Sequence, residues 1–486
     1  MRIHIWHGYL LSGTGSNEYT RALARTLTAQ GHDVTVFCQD SDPNLNVVRP
    51  QLPGPLPVFV LDAYADAQPA LIGDLSQQDL DAFVEANAAA IRAAGPADLL
   101  ITNHVLLGGP VGAASGLPFI VKAHGSELEY AMRGNPALCD WAARSLSGCL
   151  QVVAGSEHIA GVVKQLVGFD QISVIPPGVD TEDMRPRDDA LSGLLAECEA
   201  DPPNAGNPRL PDPDNAQRLA EFFDRPVVAY VGKLSREKGV PLLVEVLREV
   251  GQRAVIVGFG PARLELEPIA GPDILFTGPL QHRHLRYLWP LCDVSVVPSV
   301  FPEAFGMVAA EAASCGCPPL VADHSGLAEI AAGLRQFYPA ELADLVAFSS
   351  RDELVDRLPQ VMAMRDVLSP CARQAAEQFA ACPQFAEHGV VLLPSHGHQL
   401  DRVRVPGGGT DPSSHDGVRR WAAVGEDIEH DHGNSLRHSA DQPTTGQRGV
   451  VQMGREHDHG GVRTGGRSQH VVEDHARAPS GEGRLA

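Results

Sequence analysis

From its first residues the chain alternates short apolar runs with longer stretches of helix-like periodicity. Arg2–Trp6 reads as a strand, Ser12-Gly13-Thr14-Gly15 as a tight loop, and residues 16–30 as a helix. Asp33–Phe37 and residues 98–102, 119–123, 150–154 and 172–175 supply further strands. Apolar runs of this length, separated by helical stretches, predict parallel βαβ units and hence a doubly wound α/β domain. Ile175-Pro176-Pro177-Gly178-Val179-Asp180 ends this series and closes a first domain over residues 1–180.

Residues 181–225 change character. Asp201-Pro202-Pro203-Asn204 and Pro208-Arg209-Leu210-Pro211-Asp212-Pro213-Asp214 are too rich in Pro and Asp for a strand or helix, so the segment reads as a linker or insertion. A second α/β series follows over residues 226–385. Its strands are Val227–Val231, 254–257, Ile274–Phe276, Val294–Val297 and Pro319–Ala322, with helices near 241–250, 282–291 and Met307–Ser314. Residues 352–381 are helical in pattern. The expectation is two tandem Rossmann-like, doubly wound domains with a cleft between them. Beyond residue 386 the apolar period stops: 11 of the 20 histidines lie there, with Trp421 the single aromatic and no Lys. Such a segment buries too little to offset its ordering entropy, so residues 386–486 read as a solvated tail or the product of a shifted reading frame.

Composition adds exclusions. With 486 residues, 44% of them hydrophobic, the chain can bury a large core without staples. The formal net charge of −22 repels nucleic acid and anionic lipid. No run approaches the length of a membrane span and no secretory signal opens the chain, so a cytoplasmic location is expected. The nine cysteines are scattered without zinc spacing and read as reduced structural thiols.

Three segments carry candidate chemistry. Gly13-Thr14-Gly15 lies between a strand and a helix, where backbone N–H groups and the helix dipole suit an anion. Glu18 stands where the third Gly of a dinucleotide fingerprint would be, so that reading fails. Gly232-Lys233-Leu234-Ser235-Arg236-Glu237-Lys238-Gly239 follows a strand directly and clusters three cations at its carboxyl end, where a diphosphate would sit in a crevice. Glu303-Ala304-Phe305-Gly306-Met307-Val308-Ala309-Ala310-Glu311 spans a loop and the helix after it. Its two carboxylates can accept from hydroxyls on separate parts of one ligand, with open helix N–H groups between them.

Taken in order with Pro176-Pro177-Gly178-Val179-Asp180, Gly316-Cys317-Pro318-Pro319-Leu320-Val321-Ala322 and Ser325-Gly326-Leu327-Ala328-Glu329-Ile330, these segments resemble the retaining, GT-B fold, family 4 (group 1) glycosyltransferases over about residues 1–380. The resemblance implies a nucleotide-diphosphate sugar donor, such as a UDP- or GDP-sugar, and an acceptor that is a glycan, a lipid-linked molecule or a small molecule. It implies that Gly15 meets the donor diphosphate and that His124 stabilises the reacting centre. Lys238 and Lys233 would bind the diphosphate, helped by Arg236, and Lys233 stands where the family usually has Arg. Glu303 would hold sugar hydroxyls, Glu311 the ribose, and the backbone at Gly306 and Met307 the phosphates. Asn103, His104 and Glu127 are the acceptor-side candidates.

Thr14 and Leu327 replace glycines common in the family, and the family's last helix, which crosses back to the first domain, has no clear counterpart. No cofactor or metal is expected: Asp40-Ser41-Asp42 and Asp212-Pro213-Asp214 have D-x-D spacing but lie apart from the cleft motifs. Cations and a helix terminus can stabilise a leaving diphosphate instead. Two other readings stand beside transfer: a GT-B-type nucleotide-sugar epimerase, and an inactive or truncated homologue acting as a binding module.

Overall fold

The structure, a computed structural model, describes residues 1–11, 13–60 and 68–380. The expected tail beyond residue 386 lies outside the described residues. The first lobe contains β1 (Arg2–Trp6), α1 (Gly15–Ala29), β2 (Asp33–Phe37), β3 (Asn46–Val48), β4 (Leu56–Val58), β5 (Pro69–Leu71) and α2 (Gln77–Ala93). It continues with β6 (Leu99–Asn103), α3 (Val105–Ser115), β7 (Phe119–Lys122), α4 (Pro136–Ser145), β8 (Gln151–Ala154), α5 (Glu157–Val167) and β9 (Ile172–Val174). Seven of these strands form one parallel sheet in the order β3-β2-β1-β6-β7-β8-β9, while β4 and β5 pair separately. The central strands read as near-continuous apolar runs because both faces are covered: Ile5, Val36 and Ile101 pack on one side, Trp6, Leu100 and Val121 on the other.

The second lobe begins with α6 (Ala190–Glu199) and α7 (Asn215–Ala220), then β10 (Val227–Val231), α8 (Val240–Val250), β11 (Arg253–Val257), α9 (Arg263–Ala270), β12 (Ile274–Phe276) and α10 (His282–Leu288). It ends with β13 (Val294–Val297), α11 (Met307–Ser314), β14 (Pro319–Ala322), α12 (Ser325–Arg335), β15 (Ala347–Phe348), α13 (Arg351–Ala363) and α14 (Arg365–Ala376). Its six strands run β12-β11-β10-β13-β14-β15, all parallel.

Residues 201–214 hold no helix or strand, in keeping with their prolines, but the expected linker around them is not a free connection. Leu194, Cys198 and Leu219, on α6 and α7, are buried in the second lobe's core beside Val228 and Leu288. That core already includes Val179, whose N–H donates to Phe379 O at 2.8 Å, so the last described residues return to the point where the chain leaves the first lobe. The single helical stretch expected over 352–381 is two helices that change direction at Met364, held there at φ −100°, ψ 9°. Among the described residues no helix is long and apolar enough to cross a membrane.

In both sheets the first strand lies between neighbours reached in opposite directions: β1 between β2 and β6, β10 between β11 and β13. This is the topological switch point, where loops at the carboxyl ends of adjacent strands part and leave a crevice. The candidate residues follow β1, β6 and β7 in one lobe, and β10 and β13 in the other.

Candidate active site

In the first lobe, α1 starts at Gly15, and the N–H groups of its first turn have no intrahelical acceptor. Asn103 closes β6; its Nδ2 donates to Trp6 O at 3.1 Å and its Oδ1 accepts from His124 Nε2 at 2.6 Å. The amide orientation therefore fixes the proton of His124 on Nε2. The Glu127 carboxylate accepts from His124 N at 3.0 Å and Val105 N at 3.3 Å, and pairs with His104 Nδ1 at 3.1 Å. His104 has φ +65°, a region that side chains with a Cβ rarely adopt, and the Glu127 contacts on both sides of the turn hold it there. Its ring lies 5.6 Å from that of His7 and 4.8 Å from that of His124.

Burial, then the neighbouring His104, Lys122 and His7, pushes the proton affinity of His124 well below the usual imidazole range, so the ring is neutral. His7 is lowered to about 3 by burial and by His104. Lys122, which donates to Ile175 O at 3.2 Å, is lowered to about 7 by burial despite Glu127. Burial would raise the Glu127 carboxyl, but His104 and the backbone donors outweigh it and hold it below its ordinary value.

Two acceptor-side expectations are corrected here. Asn103 and Glu127 are 0% exposed, and their polar atoms are used to orient His124 and the His104 turn, so in this structure they position other residues and present no free surface to an acceptor. His104 is also buried, and its Nε2 has no protein partner among the described residues.

In the second lobe, Lys238 Nζ lies 2.6 Å from Glu303 Oε1, and the Ser299 hydroxyl donates to the same oxygen. The loop that carries Lys238 turns at Gly239, with φ +70°; a Cβ there would meet Pro298 O at 1.8 Å, so only glycine lets it close against the end of β13. Lys233 stands in the same loop with its carbonyl accepting from Tyr230 OH at 2.8 Å. Arg236 does not join them. It is exposed and pairs with Glu265 on α9 at 2.7 Å.

Glu303 is anchored from behind: its N–H donates to Ser325 Oγ at 2.9 Å, and Gly326 N donates to Glu303 O at 3.0 Å. Gly306, at φ +104°, turns the chain into α11, whose first residue is Met307. Glu311 is buried on α11 and pairs with His282 Nε2 at 3.1 Å.

The lobes meet where the two sets of loops face each other. Ser156 Oγ donates to Ala304 O at 2.6 Å, and a Cβ placed on Gly125 would lie 3.3 Å from Ala304 Cβ. The turn after His124 thus rests on the turn after Glu303. Glu329 on α12 accepts from Glu157 N and His158 N at 2.9 and 2.8 Å, capping α5 across the interface. Tyr130 and Phe301 stack at 4.3 Å between nearly parallel rings, one from each lobe.

The D-x-D segments are occupied by other contacts. Asp42 pairs with Arg25 at 2.8 Å and Asp40 caps Leu11 N at 3.0 Å; Asp212 is held by Arg263 and by Arg218. Cys198, Asp201 and His284 lie close together in the second lobe. There the Gln281 N–H donates to His284 Nδ1 at 3.1 Å, which puts the ring proton on Nε2, facing Asp201 at 3.2 Å. His284 and Asp201 thus form a hydrogen-bonded pair beside the buried Cys198.

The sequence reading missed His282, His324, which reaches Ser299 O at 2.7 Å, and the cross-lobe role of Glu329. Each acts on a partner far along the chain, and no local spacing announces it.

Residues 13–183 match the family described as Glycosyltransferase Family 4, and residues 225–362 that described as Glycosyl transferases group 1. The D-inositol 3-phosphate glycosyltransferase of Acidothermus cellulolyticus is 28% identical over 351 residues, 64% of this chain and 71% of that one. Sucrose-phosphate synthase from Thermosynechococcus elongatus superposes with a TM-score of 0.60 at 21% identity, covering 80% of this chain and 98% of its own. HepE of Anabaena, solved with UDP and glucose, gives 0.56 at 16% identity, covering 80% and 99%.

Proposed function

The chain belongs to the group 1, family 4 glycosyltransferases and is a sugar-transferring enzyme, and from that premise we propose that it moves a sugar from a nucleoside-diphosphate donor to an acceptor hydroxyl with retention of configuration. The observation that carries this reading is the 2.6 Å Lys238–Glu303 pair at the switch point of the second lobe. It sets a cation for a diphosphate beside a carboxylate for sugar hydroxyls.

In this reading Lys238 and Lys233, with the amino ends of α11 and α1, stabilise the charge that grows on the departing diphosphate. An ammonium has three donors, so Lys238 can keep Glu303 and still give two hydrogens to phosphate oxygens. Glu303, tied to Lys238 and Ser299, is a poor covalent nucleophile and serves the sugar hydroxyls. The departing phosphate then takes the acceptor proton on the same face, which accounts for retention. Neutral His124 suits a reacting centre that becomes positive, because an imidazolium there would oppose it. Glu311 offers its second carboxylate oxygen to the ribose. Leaving-group stabilisation by these groups requires no metal. The eight cysteines among the described residues are all free thiols, which suits a cytoplasmic setting.

The test is a panel of UDP-, GDP- and ADP-sugars with product analysis. Slow release of free sugar and nucleoside diphosphate from one donor is the expected result. A 2-epimer of the donor would establish the epimerase instead, and donor binding without turnover on any acceptor would leave a binding module.

A further inference from the structure

His282 lies at the start of α10 in the second lobe, yet it faces carboxylates from both lobes. Its Nε2 is 3.1 Å from Glu311 Oε1, and its Nδ1 is 3.8 Å from Glu18 Oε2. Glu18 is in the first turn of α1, where it also accepts from Gly13 N at 3.4 Å and pairs with Arg21. A continuous chain of contacts thus runs from the Gly13–Gly15 loop through Glu18 and His282 to Glu311. Glu18, the residue that spoils a dinucleotide fingerprint, has a place in it.

We propose that His282 is a donor-positioning residue, joining Glu18 to Glu311 so that the phosphate-facing loop of one lobe is held over the ribose-facing carboxylate of the other. The proposal deepens the donor-site reading above and rests on it. With one carboxylate on each side, the imidazole does its work as a cation. The hydrogen bond to Glu311 comes first in raising its proton affinity to about 9, followed by the charges of Glu311 and Glu18, against burial and Arg21. Because the value in the folded chain lies above the ordinary 6.5, the bridge is complete below about pH 6.5 and is lost as the pH rises through about 9. His282 also fixes one oxygen of Glu311, so that the other meets the ribose in a set direction. The ring is partly exposed, so its effect on affinity is about three- to tenfold.

The experiment uses the full chain and UDP, GDP and ADP as probes, titrated calorimetrically from pH 7 to 10 with the native protein and with His282→Asn. The native protein should lose affinity for its preferred nucleotide with a midpoint near pH 9. His282→Asn should bind about three- to tenfold more weakly at pH 7 and lack that inflection. The difference between the two proteins is read, so that any titration of the nucleotide itself cancels. Equal affinity and equal pH profiles would overturn the proposal. A melting cycle of Glu18→Gln, His282→Asn and the double variant, without nucleotide, tests the bridge separately. Non-additive losses support it and strictly additive ones refute it. Failure of all three nucleotides to bind the native protein would instead remove the donor reading, while the melting cycle still decides the bridge.

Discussion

At the carboxyl ends of their strands the two lobes place opposite kinds of chemistry. The first gathers His7, Asn103, His104, His124 and Glu127 in a closed network, with His7 and His124 kept neutral and the ring of His124 fixed through Asn103. The second gathers Lys233, Lys238, Glu303 and Glu311 as charges, with Lys238 paired to Glu303 and Glu311 to His282. Both use the same central strand order and the same switch point, so topology alone does not explain the difference. Burial does. Low dielectric surroundings keep His7 and His124 neutral in the first site, where hydrogen bonds hold the Glu127 carboxylate, while in the second the partly exposed Lys238 and Glu303 form an ion pair. In the proposed function, one lobe orients a neutral reacting centre and the other receives a polyanion.

The comparison breaks most severely at Glu127. Replacing it with Ala removes the acceptor for the His124 and Val105 N–H groups and for the buried His104 ring, and leaves the φ +65° turn without support. The expected cost is about 3–5 kcal/mol of folding stability, read by urea denaturation. A loss under about 1 kcal/mol would mean that the network is not cooperative. At the ionic site the expectation reverses. Lys238→Ala should leave folding nearly unchanged while lowering turnover by about 1.5–3 kcal/mol, roughly 10- to 150-fold. Unchanged turnover would remove Lys238 from the diphosphate site.

The two sites also differ in how legible they were. Lys238, Glu303, Gly306 and Glu311 could be read from the chain because each lies on a strand–loop–helix unit whose period marks its place. Arg236 belongs to the same run, but Glu265, supplied by a different helix, draws it outward. The acceptor-side residues were located at the right strand ends, but their burial was not legible, since burial is a property of the packed lobe: Glu127 looks like any surface carboxylate in sequence and is 0% exposed in the fold. His282 and Glu329 escaped because their partners lie far along the chain. The segment over 181–225 was judged by its prolines, while the apolar spacing of Leu194, Cys198 and Leu219, which binds it to the second core, is short and easily overlooked.

The mildest effects are expected at the end of the chain, where the second lobe closes on the first. Phe379 is 9% exposed, packs edge-on against Phe305 with ring centres 5.9 Å apart, and offers its carbonyl to Val179 N at 2.8 Å. A chain ending at residue 378 loses that ring and hydrogen bond, which should cost about 1.5–3 kcal/mol. Because Phe305 lies between Glu303 and Gly306, the loss should also weaken donor binding. A chain ending at residue 394 keeps Phe379 and removes only sequence without apolar periodicity, so its melting temperature should stay within about a degree or two. Melting both truncations with and without UDP separates the possibilities. A large loss from the cut at 394 would show that the tail stabilises the lobes. A loss confined to the cut at 378 would make Phe379 the residue that closes the second core, and would tie the geometry of Glu303 to the return of the chain at Val179.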